Sequence, residues 1–216
     1  MNGPVAVITG TSSGIGAACA RRFRADGWEV AGLARRGDPP TDLTDAEAID
    51  RAVEKIGARQ ARVDAIICAA GDFLAAPMEA TTSAEFERIW RITVWSKFYL
   101  VKALLPLLAA PAAIVHIASL AAHRDFPKET AYTAAMHGVI GLARAQDAEL
   151  RGRGIRVAVV SPGTVRTPLT ERSFAAEALE GALEPEAIAG SVVTLVGTIR
   201  AGGYIPEIVH LPQNST

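Results

Sequence analysis

The first strand of this chain runs straight into glycines. Val5–Thr9 is an unbroken apolar and β-branched run, and Gly10-Thr11-Ser12-Ser13-Gly14-Ile15-Gly16 follows it, ahead of a stretch with apolar residues at helical spacing. A strand that is apolar throughout is one buried on both faces, as happens where helices cover a parallel sheet. Glycines between strand and helix let the backbone turn tightly and pass close to a bulky anion. The helix start then offers free N–H groups and the positive end of its dipole. In this strand–turn–helix setting the residues predict a pyrophosphate site on Gly10, Ser12, Ser13, Gly14, Ile15 and Gly16.

The remainder alternates in the same way. Strands are predicted at Glu29–Leu33, Ala65–Cys68, Ala113–Ile117, Arg156–Val160 and Glu207–Leu211. Helices are predicted at Gly14–Asp26, Asp45–Ile56, Ser83–Leu108, Glu129–Leu150 and Pro185–Thr198, with Gly27 stopping the first. Strict alternation implies right-handed βαβ units and a doubly wound parallel sheet between two helical layers, a Rossmann-type α/β fold. Ala34–Thr41, with Gly37, Pro39 and Pro40, is too brief for a crossover and predicts a loop. At 216 residues with no repeat or linker, the chain is expected to be a single dinucleotide-binding domain over 1–216.

Bulk properties exclude other classes. A net charge of −1 argues against nucleic acid, and Arg21, Arg22 and Arg24 read as a solvated helix face. Cys19 and Cys68 have no partner at metal or disulfide spacing, so no metal is expected, and a reduced, cytoplasmic setting is. The start MNGPVAVITG lacks the pattern of a signal peptide, and the longest apolar run, Ala103–Val115, is too short to span a bilayer. No membrane association is expected.

The second predicted strand ends at Leu33, followed by Ala34-Arg35-Arg36. An acidic residue there would hold a ribose 2′-hydroxyl, whereas arginine accommodates a 2′-phosphate. Arg35 and Arg36 therefore favour NADP(H) over NAD(H).

With these features in place, the sequence resembles the short-chain dehydrogenase/reductase family over nearly its whole length. Thr9–Gly16 matches the family pattern TGxxxGIG, and Asp42-Leu43-Thr44-Asp45 resembles its DVTD segment, whose first Asp contacts the adenine region. Cys68-Ala69-Ala70-Gly71 stands where the family has NNAG. Ser119, Tyr132 and the tract Ser161-Pro162-Gly163-Thr164-Val165-Arg166-Thr167 also match. The resemblance implies nicotinamide-dependent carbonyl/alcohol interconversion, with Asp42, Leu43, Ala69, Ala70, Gly71, Tyr132, Pro162, Gly163, Val165 and Thr167 joining the glycine turn and the arginines at the cofactor. It also implies a homodimer or homotetramer built through Ser83–Leu108 and Glu129–Leu150.

The resemblance makes Ser119 and Tyr132 catalytic. A phenol can donate a proton to a carbonyl oxygen while a serine hydroxyl holds that oxygen. Two family residues are missing. YxxxK reads Tyr132-Thr133-Ala134-Ala135-Met136, so Met136 takes the lysine's place, and Thr93 stands where the family has an asparagine. A cation about 4 Å away is worth roughly 4 kcal/mol at an effective dielectric near 20. That would bring a phenol down by up to about three pH units. Without it Tyr132 is expected to stay protonated, which suits carbonyl reduction and disfavours alcohol oxidation. The leading reading is a reductase of a small hydrophobic carbonyl compound. A silent NADP(H)-binding protein and a fold reused for non-redox chemistry remain open.

Among other polar residues, Lys97 is expected on a helix face packed against a partner subunit, with a place in the site as the lesser reading. His116 is expected as a satisfied core histidine, and His137 is expected to point off the active face. His123, Arg124 and Lys128 lie in the loop between Ser119 and Tyr132. Thr164–Glu184 is expected as a lid, with Arg166, Leu169, Phe174 and Leu179 lining it and Phe73, Leu74 and Phe126 adding apolar walls.

Overall fold

A computed structural model describes residues 3–203 and 208–211. Six strands form one sheet: β1 (Val5–Thr9), β2 (Glu29–Leu33), β3 (Val63–Cys68), β4 (Leu108–Ile117), β5 (Ile155–Pro162) and β6 (Ile208–Leu211). Their spatial order is β2-β1-β3-β4-β5-β6, and every pairing is parallel. The helices are α1 (Gly14–Ala25), α2 (Ala46–Arg59), α3 (Ser83–Trp90), α4 (Ser96–Leu104), α5 (Thr130–Leu150), α6 (Pro168–Glu171) and α7 (Pro185–Arg200). This is the three-layer, doubly wound Rossmann-type arrangement expected from the alternation.

The apolar strands explain the layering. On β4, Ala112 and Ile114 pack with Ile49 and Ile56 of α2, Leu100 and Leu104 of α4, and Val139 of α5. Their neighbours Ala113 and Val115 pack on the other face with Phe23 of α1 and Ile188 and Val192 of α7. Each fully buried side chain of this size contributes about 1.5–3 kcal/mol. At the end of the sheet where β1 begins, buried Asp64 accepts from the Val5 amide (2.9 Å) and from Arg200 (3.1 Å), and pairs with Arg62. That end is locked structurally, and the opposite end is left for the site.

The Ala34–Thr41 stretch forms no helix. It folds back on β2 through a single bridge from Asp38 to Gly32 and closes on itself through another between Ala34 and Pro40. α2, whose N-cap Asp45 accepts from the Glu47 amide at 3.0 Å, makes the crossover from β2 past β1 to β3.

The expected helix Ser83–Leu108 is corrected. It runs as α3, a π-helical turn Arg91–Trp95, and α4, and stops at Leu104. Pro106 cannot donate to the carbonyl four residues back, so the helix cannot pass it. Leu108 instead pairs with Val63, and β4 starts five residues before the expected Ala113. The spacing of Leu104, Leu105, Leu107 and Leu108 imitates a continuing helix. Thr164–Glu184 is more ordered than a plain loop. Thr167 caps α6 with a reciprocal Thr167–Thr170 box, and Ala176–Leu179 forms a 3-10 turn. The last strand was expected from Glu207, which lies outside the described residues.

Candidate active site

The chain reaches β2 on one side of β1 and β3 on the other, so a crevice opens where the carboxyl ends of β1 and β3 part. The glycine turn lies there. Gly10 has φ +74, and a Cβ on it would stand 3.1 Å from the Ala70 nitrogen. A Cβ on Gly16 would lie 2.4 Å from the Gly10 carbonyl oxygen, so only glycine lets α1 start this close to the turn. The N-cap Ser13 makes no side-chain capping bond, leaving the first amides of α1 to an outside acceptor.

Two more segments border this helix start. Ala70 donates its amide to Thr9 Oγ1 at 3.0 Å, which fixes the Ala69-Ala70-Gly71 strip beside Gly10. From β5, Pro162 and Gly163 lead to buried Val165 and to Thr167, whose methyl lies 3.0 Å from where a Cβ on Gly14 would stand. Gly10–Gly16, Ala69–Gly71 and Thr167 thus converge on one helix N-terminus. A diphosphate fits such a backbone-lined cradle.

Arg35 and Arg36 follow β2 and are exposed. Asp42 accepts from the Thr44 amide (2.9 Å) and hydroxyl (2.7 Å), and these bonds, with a smaller contribution from Arg35, hold its carboxyl below the usual range. Leu43 is buried beneath it.

Ser119 follows β4 in extended conformation, and its Oγ accepts from the Ala121 amide at 3.2 Å. Tyr132 lies in the first turn of α5 and is hydrogen-bonded to Ser119. Burial pushes the phenol up to about 12; the Glu129 carboxyl adds to this and the Ser119 bond opposes it. Glu129 is itself raised by burial. Met136 is buried in the core beside Val139 and Ile140, contributing no charge. A neutral, serine-held phenol at a sheet edge can give a proton to an oxygen and is poorly suited to taking one.

The expected place of Lys97 is corrected. It is 3% exposed and donates to the Ala70 carbonyl at 2.8 Å, inside the protein and beside the strip. Burial brings its ammonium down to about 8. The signal was in the register: Thr93, Lys97, Val101 and Leu104 share one helix face, and the others on it are buried. Thr93 sits in the π-helical turn, fully buried, and its hydroxyl has no partner among the described residues. His116 is half satisfied, with Nε2 2.7 Å from Gln146 and Nδ1 unpartnered among the described residues. His137 is exposed and turned to the Thr133 carbonyl. His123 bonds Ser161 at 3.1 Å and meets His210 edge-on.

On the substrate side, Phe73 meets Tyr132 edge-on and Phe174 of the lid lies against Phe73. Asp72, not singled out from the sequence, pairs with Arg88 of α3 and, at 3.6 Å, with Arg172 of the lid. Arg166 is tied within the lid, donating to the Leu179 carbonyl and pairing with Glu184. Leu179 is buried and Phe126 is 41% exposed. Among the described residues no helix is long and apolar enough to cross a membrane.

A family model described as Enoyl-(Acyl carrier protein) reductase matches residues 10–199. The chain is 30% identical to 1-deoxy-11-beta-hydroxypentalenate dehydrogenase of Streptomyces exfoliatus, over 90% of this chain and 80% of that protein. It is 29% identical to a 3-oxoacyl-(acyl-carrier-protein) reductase of Thermotoga maritima, over 80% of this chain and 78% of that one. Among solved structures, a dehydrogenase/reductase from Sinorhizobium meliloti superposes with a TM-score of 0.88 at 27% identity, covering 100% of this chain and 96% of the other.

Proposed function

The chain belongs to the short-chain dehydrogenase/reductase family, and from that premise we propose that it is an NADP(H)-dependent reductase of a carbonyl compound. The observation that carries this is the hydrogen-bonded Ser119–Tyr132 pair, with its phenol held neutral, next to the glycine cradle at the carboxyl edge of the sheet.

In this reading the first amides of α1 and the Gly10–Gly16 backbone hold the diphosphate, with Ala69–Gly71, Pro162, Gly163, Val165 and Thr167 along the rest of the dinucleotide. Arg35 and Arg36 take the 2′-phosphate, and Asp42 and Leu43 border the adenine. A bound nicotinamide supplies the hydride. Ser119 orients the substrate carbonyl oxygen, and Tyr132 gives it the proton. Phe73 and Phe174 favour a small hydrophobic substrate. Met136 in place of the family's lysine leaves the phenol protonated, which biases the pair toward reduction. We further propose a single domain over 1–216, acting in the cytoplasm as a homodimer or homotetramer.

The test is absorbance at 340 nm with NADPH and a panel of aldehydes and ketones. Turnover that survives unchanged in Tyr132→Phe removes Tyr132 as the donor. The absence of both the family's lysine and its asparagine favours a second reading, a silent NADP(H)-binding protein, which predicts tight NADPH binding without transfer from labelled NADPH. A third, non-redox use of Ser119 and Tyr132 predicts no NADPH binding in a fluorescence titration.

A further inference from the structure

Three buried polar side chains lie in the layer between the sheet and helices α4 and α5, next to the Ala70–Gly71 strip. Lys97 uses one of its three donors on the Ala70 carbonyl. Thr93, one turn earlier, places its unpartnered hydroxyl 4.0 Å from where a Cβ on Gly71 would stand. His116 lies within electrostatic reach of Lys97, and so does Cys68, its cross-strand partner on β3. Among the described residues no carboxylate acts on Lys97. Burying an ammonium without a counter-ion is costly, and a neutral amide could satisfy one carbonyl oxygen at far smaller cost.

The charge therefore needs a use, while the Tyr132 phenol answers to burial, Ser119 and Glu129. What Lys97 holds is the peptide that passes Gly10: the Ala70 Cα would stand 3.2 Å from a Cβ on Gly10, and the Ala70 amide is tied to Thr9.

We propose that Lys97 is a positioning residue for the dinucleotide, its buried charge fixing the Ala70–Gly71 strip against the glycine turn and attracting the diphosphate from behind that strip. This rests on the dinucleotide reading above. Among the described residues the titratable groups facing Lys97 are Cys68 on β3, held up to about 11, and His116 on β4, held down to about 4. Gln146 of α5 is uncharged, and α2 presents Ile49, Ala52 and Ile56 to this layer. Between pH 7 and 9.5, Lys97 is the group of this cluster that changes charge.

The experiment is fluorescence titration of NADPH, with NADH in parallel, against wild type and Lys97→Met from pH 6.5 to 9.5. Wild-type affinity is expected to fall about tenfold across that range. Lys97→Met is expected to bind about tenfold more weakly at pH 7 and to lose the slope. Wild-type affinity at pH 7 in Lys97→Met, or an unchanged slope, overturns the inference while leaving the cofactor reading standing. If Lys97→Met does not fold, a flat wild-type profile, or a Lys97 side-chain NMR signal that NADPH leaves unmoved, overturns it equally. If wild type binds neither nucleotide, the dinucleotide reading itself falls.

Discussion

The ring of Phe73 meets the ring of Tyr132 edge-on, with centroids 4.9 Å apart, and Phe174 reaches across from the lid to lie 5.0 Å from Phe73. The phenol thus works against an apolar wall built from two segments remote in sequence. Phe174→Ala should raise KM for apolar carbonyl substrates by roughly tenfold and change kcat little, since it removes contact area and no proton donor. Steady-state kinetics on a substrate found in the carbonyl panel checks this. An equal loss in kcat would mean that Phe174 shapes the reacting geometry.

Tyr132→Phe should lower the reductase rate by roughly 10²–10⁴ and Ser119→Ala by roughly 10²–10³, with NADPH affinity retained. With the phenol held near 12, its protonated form persists throughout the working range. The reduction rate at saturating NADPH should therefore be flat from pH 6 to 10. A fall centred below pH 9 would show that another group supplies the proton.

Met136→Lys should return a cation to the phenol. The interaction is worth roughly 4 kcal/mol at 4 Å, enough to bring Tyr132 from about 12 to roughly 9. Alcohol oxidation should then rise and titrate near that pH. A variant that folds normally by circular dichroism yet oxidises no faster would place Met136 outside reach of the phenol.

Arg35→Glu should reverse cofactor preference. Losing a charged hydrogen bond and gaining repulsion costs about 1.5–3 kcal/mol, so NADPH binding should weaken roughly 10- to 100-fold while NADH binding holds. Parallel Kd measurements decide it, and equal weakening of both nucleotides would remove Arg35 from the 2′-phosphate.

Lys97→Met should make the cofactor-free protein more stable at pH 7. A lysine held near 8, against an ordinary value of 10.5, is disfavoured in its charged form by the fold. The penalty is full below about pH 8, roughly 3 kcal/mol, and fades as pH climbs toward 10.5. Losing the Ala70 hydrogen bond returns about 1 kcal/mol of it. The net gain of about 2 kcal/mol should raise Tm by roughly 4–8 °C at pH 7, and less at pH 10. A lower Tm would make Lys97 a structural residue.

The fold was legible because its strongest determinants are local. Val5–Thr9 and Glu29–Leu33 form strands over those residues, and the Gly10–Gly16 turn leads into α1 as its glycines require. The stretch after α3 was not, because Pro106 competes with a leucine spacing that mimics a helix. Ser119 and Tyr132 could be named from motif and spacing, and the structure brings them into hydrogen-bond contact. The place of Lys97 was legible only in part: its register sets it with Thr93, Val101 and Leu104, all buried, but periodicity does not say whether the chain itself or a partner subunit covers that face. Asp72 carried no local signal, since its partners Arg88 and Arg172 come from α3 and the lid.

The strap Ala34–Pro40 follows the edge strand β2 and is joined to it by the bridge from Asp38 to Gly32. In the reading proposed above, the residues that would sort one dinucleotide from another, Arg35 and Arg36, sit on a short, outlying piece of chain, apart from the core that carries Ser119 and Tyr132. Cofactor choice would then be modular: the strap could be exchanged or re-evolved as a cassette, and the proton chemistry would not need rebuilding with it.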